Sequence, residues 1–403
     1  MFKLGYIISI GAGKNQLPFI LKCKELGLKV IAIDQNPQAP GFLHSEIKIF
    51  LSVLEYRKIY AFLLKLILDE PILGIGVRSY GNAVLTASYL AKKFDLISTD
   101  VEVLAKFYNK KTMKAFLGDN KVLVPKAYSW QNGRGIVKFI QTISYPCILK
   151  PVNNIAKFGI EVFDNENSLM PRISEIKSKS EQFLLEDYIV GEEVTVIGFV
   201  QNGKFQLVSL SDKVTTNYPP YIELSHQVPS KQIKYVGEIK LICQNIVDVT
   251  QLKNSPIVAE FKITNQGEIY LMEIMPEVGG EYLADYLIPE FYNYDYFRNY
   301  ISLLTGFAIL PVDYKKTKEK EILSQICFIS PPEGKSRLAY YSQVSSADGK
   351  IYLNENLKQI GDSLNTKQGN ACRVKVIGIS HPRIKNPVEL DSLIRKNVNA
   401  KFE

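Results

Sequence analysis

Glu260 and Glu273 stand on the two arms of a hairpin pattern whose turn is Asn265-Gln266-Gly267. Counted from Gln266 as the turn centre, their offsets nearly match, so strand pairing sets them near-opposite on one face. Two carboxylates so placed repel each other, and burying them without cations is costly. Magnesium bridging nucleotide phosphates would remove that cost, because Mg2+ takes a few carboxylates together with phosphate oxygens. Upstream, Lys150 ends the apolar strand pattern Cys147-Ile148-Leu149 and presents an ammonium from a rigid element. Glu186 and Glu193 bracket Tyr188-Ile189-Val190-Gly191, which reads as a strand that breaks at glycine and resumes. Such an edge offers backbone amides and carbonyls to a purine, and Glu193 can accept hydrogen bonds from ribose hydroxyls. A single glutamate of this kind also reads as a solvated charge. The ordered set of lysine, broken strand and paired glutamates is what points to phosphate chemistry.

The elements that must carry these groups change character along the chain. Residues 4–10 are apolar and β-rich, Gly11-Ala12-Gly13 follows, then a short helical pattern with Leu17, Ile20 and Leu21 on one face. Lys29–Asp34 reads as the next strand, giving a βαβ unit of a parallel sheet. The glycine fingerprint of a dinucleotide site is incomplete, since Gln16 stands where its last glycine belongs, although Asp34 closes the second strand. Leu104 to Phe116 reads as one lysine-rich helix. Beyond it come strands near 146–151, 159–163, 183–188, 194–200 and 205–210, with hairpin signals at Gln201-Asn202-Gly203 and Asn265-Gln266-Gly267. Mostly antiparallel strands with helices on one side make an α+β arrangement.

The chain has 403 residues, beyond the roughly 250–300 at which a single core usually divides. Its net charge of +8 is spread over the whole length. The densest runs, Lys110-Lys111 and Lys315, Lys316, Lys318 and Lys320, lack interleaved aromatics, so a field attracting anionic small molecules fits better than a nucleic-acid partner. Five scattered cysteines fit packing in a reducing cytoplasm better than a disulfide framework. The three histidines show no metal-ligand spacing. No stretch approaches the ~20 apolar residues that cross a bilayer, and the short apolar start reads as a first strand, not a leader. A homodimer is the default assembly.

The order of these motifs resembles the ATP-grasp superfamily, in particular its carboxylate–amine ligases. Gly11-Ala12-Gly13 and Asp34-Gln35-Asn36-Pro37 resemble the preATP-grasp domain, Asn109-Lys110 the lead-in to the ATP-grasp domain, and Ile148-Leu149-Lys150-Pro151 its phosphate-contacting strand. Leu185–Glu193 resembles the adenine and ribose segment. Lys213 with Glu223 and His226 resembles a substrate-side stretch, and Met272–Gly280 the metal-binding hairpin and its exit. The resemblance implies an α/β Rossmann-like preATP-grasp domain over 1–105. An α+β ATP-grasp domain follows over 106–320, with its lid subdomain at about 125–195, and a small β-rich cap over 321–403. It implies ATP and Mg2+ as cofactors. Lys110, Lys150, Glu186, Asp187, Ile189 and Glu193 would hold the nucleotide, Glu260 and Glu273 the metal, and Lys213 and Glu273 would take part in catalysis. The implied reaction joins a small-molecule carboxylate to an amine through an acyl phosphate. Three departures stand out: Ile155, Ala156 and Lys157 in the phosphate lid, Met275 in place of a metal-binding asparagine, and Glu277 in place of an arginine. They raise the alternative of a nucleotide-binding homologue that serves as a sensor or scaffold.

Overall fold

A computed structural model describes residues 3–130, 136–151, 159–176, 183–314, 322–342 and 349–403. The lid residues Asn153–Phe158, with Lys157, the lysines at 315–320 and the boundary expected at 320/321 lie outside the described residues. The first strand, β1 (Tyr6–Ile10), is buried along its whole length. It pairs in parallel with β2 (Lys29–Ile33) and β4 (Ile72–Val77), and β2 pairs with β3 (Ile47–Ile49), giving the order β3-β2-β1-β4. Helices cover both faces, so alternate residues of β1 enter two different cores: Tyr6, Ile8 and Ile10 one, Ile7 the other. Gly11 takes a φ of +96°, which lets the chain turn sharply out of β1. Asp34 accepts from the Ala12 amide at 2.9 Å and from the Asn36 amide at 2.9 Å. Its carboxylate therefore braces the glycine turn, an engagement at odds with a ribose-binding role.

The helix expected over Leu104–Phe116 is two helices, Val101–Phe107 and Lys110–Asp119. Asn109 separates them because its side-chain oxygen accepts from the Thr112 amide at 3.1 Å and caps the second. A four-stranded antiparallel sheet then forms in the order β5-β8-β6-β7, from β5 (Ala127–Trp130), β6 (Cys147–Pro151), β7 (Glu161–Phe163) and β8 (Phe183–Asp187).

The central sheet has eight strands: β9 (Glu192–Gln201), β10 (Lys204–Thr215), β11 (Glu223–Val228), β12 (Ser255–Ile263), β13 (Ile269–Met275), β14 (Leu323–Ile329), β16 (Lys350–Asn356) and β18 (Lys375–His381). Their order is β13-β12-β9-β10-β11-β14-β18-β16. Asn202 and Gly203 both have positive φ, 52° and 75°, as a tight hairpin turn between right-twisted strands requires. The tail does not stand wholly apart. Three of its strands continue this sheet through the pairing of β14 with β11, while β15 (Lys335–Tyr340), β17 (Ser363–Asn365) and β19 (Lys401–Phe402) form a separate small sheet. Val194 and Val196 of β9 enter the same core as Ile8, and Ile197 and Phe199 the same core as Ile7. The first domain and the central sheet are thus joined by shared apolar burial. Among the described residues no helix is long and apolar enough to cross a membrane.

Residues 188–191 connect β8 to β9 and so pass from one sheet to the other, instead of continuing one strand. Gly191 makes this crossing possible: a Cβ there would lie 2.4 Å from the Ile263 carbonyl oxygen. By contrast, Gly237 in the helix Val236–Thr250 has nothing within 4 Å of such an atom. Gly191→Ala is expected to lower stability by about 1–3 kcal/mol. Gly237→Ala should raise it, by up to ~1 kcal/mol. Equilibrium urea unfolding of both variants checks the contrast, and equal effects would contradict it.

Candidate functional site

The phosphate-side lysines are set by one sheet and one helix. Ile148 of β6 lies opposite Glu186 of β8, so Lys150, two residues on, is a diagonal neighbour of Glu186 on the same face. The Lys150 ammonium is 2.6 Å from a Glu186 carboxylate oxygen. The other oxygen is taken by Lys114, which follows Lys110 by one turn on the helix Lys110–Asp119 and therefore shares its face. Lys110 itself reaches Glu273 at 3.0 Å. That helix ties the β6–β8 sheet to the central one.

Glu186 is fully buried. Burial alone would push its carboxyl up, but Lys114 and Lys150 outweigh it and hold the carboxyl near 2. Burial pushes Lys114 down to about 8 against the pull of Glu186, with the Lys150 charge adding to the fall. For Lys150, burial works downward but Glu186 prevails and raises it. The three groups carry one surplus positive charge.

The second cluster is centred on Lys213 of β10. Register places Lys213 opposite Glu193 of β9, and Glu193 opposite Lys262 of β12, a row of alternating charge across three strands. The Lys213 ammonium lies 2.6 Å from Glu260, 2.7 Å from Glu223 and 4.0 Å from Glu193. Burial opposes its charge, yet Glu223, Glu260 and Glu193 together raise its basicity well above the ordinary lysine value. Lys262 sits 3.3 Å from Glu193, donates to the Ile189 carbonyl at 3.0 Å and lies over the Tyr188 ring.

Glu260 and Glu273 are direct cross-strand partners in the β12–β13 hairpin. Each carboxylate is met by its own ammonium, Glu260 by Lys213 and Glu273 by Lys110. Burial pushes Glu273 up, but Lys110, with Lys150 and Lys213 farther off, brings it below its usual value. The donors are hard oxygens, as Mg2+ prefers, whereas Met275 lies next to this pair with only a thioether. Among the described residues no three or more His, Cys, Asp or Glu gather to hold an ion. The pair thus suits an ion that draws its remaining ligands from phosphate or water.

Lys110, Lys150, Glu186, Glu193, Lys213, Glu260 and Glu273 therefore fall into one continuous charged surface. Asp187 does not join it: its side chain accepts from the Ser144 amide at 3.2 Å, on the face of β8 away from Glu186. Ile189 enters through its backbone carbonyl, already engaged by Lys262.

Sequence reasoning passed over Lys114, Arg373 and Asp285. Spacing of four from Lys110 was a signal for Lys114. Arg373, 92 residues from Glu281, had no local signal. Its guanidinium forks onto Glu281, lies 3.7 Å from Glu223 and stacks 3.9 Å over the Phe328 ring. Asn370 clasps Glu223 from the same turn, with its Nδ2 2.9 Å from the carboxylate. Burial and Glu223 push the Glu281 carboxyl up to about 7 against the pull of Arg373.

Residues 143–285 match the family model described as the ATP-grasp domain. That span holds β6, β8 and the β12–β13 hairpin, and with them Lys150, Glu186, Glu193, Lys213, Glu260 and Glu273. A formate-dependent phosphoribosylglycinamide formyltransferase of Sulfurisphaera tokodaii is 24% identical over 247 residues, 57% of this chain and 56% of that protein. The chain spans about half the length of the curated relatives it matches in this way. Phosphoribosylglycinamide synthetase from Anaerococcus prevotii has a similar fold, with a TM-score of 0.75 at 16% identity and all of both chains covered. So has L-amino acid ligase from Bacillus licheniformis, with a TM-score of 0.72 at 17% identity, covering 98% of this chain and 96% of that one. Residues 143–285 of this chain thus match an ATP-grasp domain, and the fold of the whole chain is like that of these two solved enzymes.

Proposed function

We propose that this protein is an ATP-dependent ligase that activates a carboxylate as an acyl phosphate and passes it to an amine, releasing ADP and phosphate. The observation that carries this reading is the pairing of Glu260 with Glu273 beside the Lys110, Lys114 and Lys150 ammoniums, joined into one surface by Lys213. In this reading Lys150 and Lys110 bind the phosphates, Lys114 keeps Glu186 ionised and fixed, and Glu193 meets the ribose. Ile189 and Asp187 offer their backbone to the purine. Glu260 and Glu273 would hold Mg2+, which neutralises charge on the transferring phosphoryl group when bound.

The substrate carboxylate attacks the γ-phosphorus, the bond to ADP breaks, and the amine then displaces phosphate from the acyl carbon. No protein nucleophile is required. The Lys213 ammonium is enclosed by three carboxylates, so we assign it to holding Glu193, Glu223 and Glu260 in place rather than to touching the phosphoryl group. Glu277, which stands where a cation was expected, does not oppose an anionic intermediate in this reading. Burial and the Glu273 charge push its carboxyl up to about 8, against the hydrogen bond from Tyr108, so it is neutral at physiological pH.

Phosphate release from ATP and Mg2+ across a panel of carboxylates and amines tests the assignment. Substrate-dependent release is expected in the parent, with Glu273→Gln slower by roughly a hundredfold or more at unchanged fold. A parent in which no substrate pair accelerates release, and which Glu273→Gln leaves unaltered, would return the chain to the sensor or scaffold reading.

Glu277 yields a separate pH prediction. Its folded carboxyl titrates near 8 and its ordinary value is 4.5, so between these pH values the native state holds a proton the unfolded chain releases. Stability is lost through this group as pH rises across that window, by at most about 1.4 kcal/mol per pH unit. Glu277→Gln stays neutral and escapes the loss. Its melting temperature should gain on the parent steadily from pH 5 to pH 8; parallel curves would mean that Glu277 is ionised throughout.

A further inference from the structure

Beyond the Glu260–Glu273 pair, a second set of charges surrounds two tyrosines. Tyr282 and Tyr286 have ring centroids 6.0 Å apart. Tyr282 donates to Glu355 at 3.3 Å and feels Arg373 and Glu281, while Tyr286 feels Lys14, Arg78, Asp285 and Glu355. Three separate parts of the chain meet here: the turn at Lys14 with Arg78 after β4, the segment 281–286, and the tail that supplies Glu355 and Arg373. Each cation has a carboxylate of its own: Arg78 pairs with Asp285, Lys14 with Glu355, and Arg373 with Glu281. Glu223 also lies 3.7 Å from Arg373 but is paired more closely with Lys213, at 2.7 Å, so the three cations here are matched by three carboxylates of their own.

This balance discriminates between ligands. A phosphomonoester dianion binds where cations are free or donors converge. To reach Arg78 or Arg373 it would displace a carboxylate that is largely buried, leaving that charge unpaired. Only Lys14, whose side chain is 69% exposed, could turn to it at low cost. A zwitterion meets the opposite situation, since its ammonium and carboxylate can each add to an existing pair of opposite sign. The Arg78–Asp285 pair keeps unused hydrogen-bonding capacity for this. Its side chains are 10% and 5% exposed, yet the Arg78 Nε and the Asp285 Oδ1 make no hydrogen bond among the described residues. One donor and one acceptor of this pair are thus left unfilled, which buried groups rarely tolerate without a ligand or water. The backbone is committed to the arrangement as well. Glu281 and Tyr282 both take left-handed conformations, with φ of 57° and 61°, which non-glycine residues adopt at a cost where function over-determines them.

We infer that the substrate held between Arg78–Asp285 and Arg373–Glu281 is a zwitterion, an amino acid or short peptide bearing both ammonium and carboxylate, and not a phosphorylated amine. This rests on the ligase reading and names the substrate class of the same cleft.

Calorimetric titration of the ADP- and Mg2+-loaded full chain is the test, with L-amino acids, the matching amines that lack the carboxylate, and phosphoribosylglycinamide as probes. At least one amino acid should bind about tenfold or more tightly than both its carboxylate-free amine and phosphoribosylglycinamide. The double variant Arg78→Gln, Asp285→Asn should lose about tenfold or more of that amino-acid affinity while keeping ADP affinity within about twofold. Tighter binding of phosphoribosylglycinamide, or no binding of any amino acid, overturns the inference. So does a folded double variant with undiminished amino-acid affinity. If the variant does not fold, the parent's ranking of the three probe classes decides alone. Phosphate release with the same probes, each offered together with the panel of carboxylates and amines, separates the two readings. Release with phosphoribosylglycinamide but no amino acid leaves the ligase standing and removes the zwitterion. Amino-acid binding without release under any probe removes the ligase and leaves the pocket.

Discussion

A lysine ammonium shielded from water needs compensation from its surroundings, and Lys213 finds it on three different strands. Glu193 comes from β9, Glu223 from β11 and Glu260 from β12, while Lys213 itself lies on β10. The strands that flank β10 must therefore keep one register, because a slip of one residue turns these side chains to the opposite face. Removing one partner from such a buried set costs about 3–5 kcal/mol, since it leaves charge uncompensated. Apolar burial supplies most of the stability of this sheet, but it is indifferent to register among Val, Ile and Phe. The lysine is not. It couples the positions of the metal-candidate carboxylate, the ribose-side carboxylate and, through Glu223, the Arg373 guanidinium of the tail.

Charge along the cleft is graded as a result. At one end Lys110, Lys114 and Lys150 exceed Glu186 and Glu273 by one. At the other end Arg373, Arg78 and Lys14 are each matched by a carboxylate of their own. An anionic polyphosphate is drawn to the first end rather than the second, so in the proposed ligase the field would favour one direction for the nucleotide. Burial pushes Lys114 down to about 8 against the pull of the Glu186 carboxylate, which it shares with Lys150. Glu186 cannot neutralise both, and in the proposed ligase an incoming phosphate would supply the remaining negative charge.

Much of this was readable locally. The glycine turn after β1, the hairpins at Asn202-Gly203 and Gly267, and the cross-strand pairing of Glu260 with Glu273 all follow from short-range pattern, and all are present. Local pattern failed where a side chain or a distant strand intervened. Asn109 splits one expected helix in two by capping, and residues 188–191 change sheets because Gly191 admits the Ile263 carbonyl. The tail looked like a separate cap because nothing in residues 321–403 announces that β14 will pair with β11, some hundred residues earlier. Asp285 and Arg373 were invisible for the same reason: their partners lie 207 and 92 residues away.

The two halves of the site thus differ in how they are built, and this bears on how each can change. The half proposed to bind the nucleotide comes from sheet residues within 143–285, aided by the helix Lys110–Asp119, and its charges are locked to strand register. Altering it means disturbing the central sheet. The half around Tyr282 and Tyr286 is assembled from a turn of the first domain, the irregular segment after Gly280, and the tail. Apart from Glu223 on β11, which Arg373 approaches, its carboxylates lie outside β9 to β13, so exchanging Arg78 or Asp285 is expected to alter this cluster without shifting those strands. Folds with similar central sheets can accordingly serve different substrates, and in the proposed ligase the long-range ion pairs, rather than the motifs of the sheet, would select the substrate.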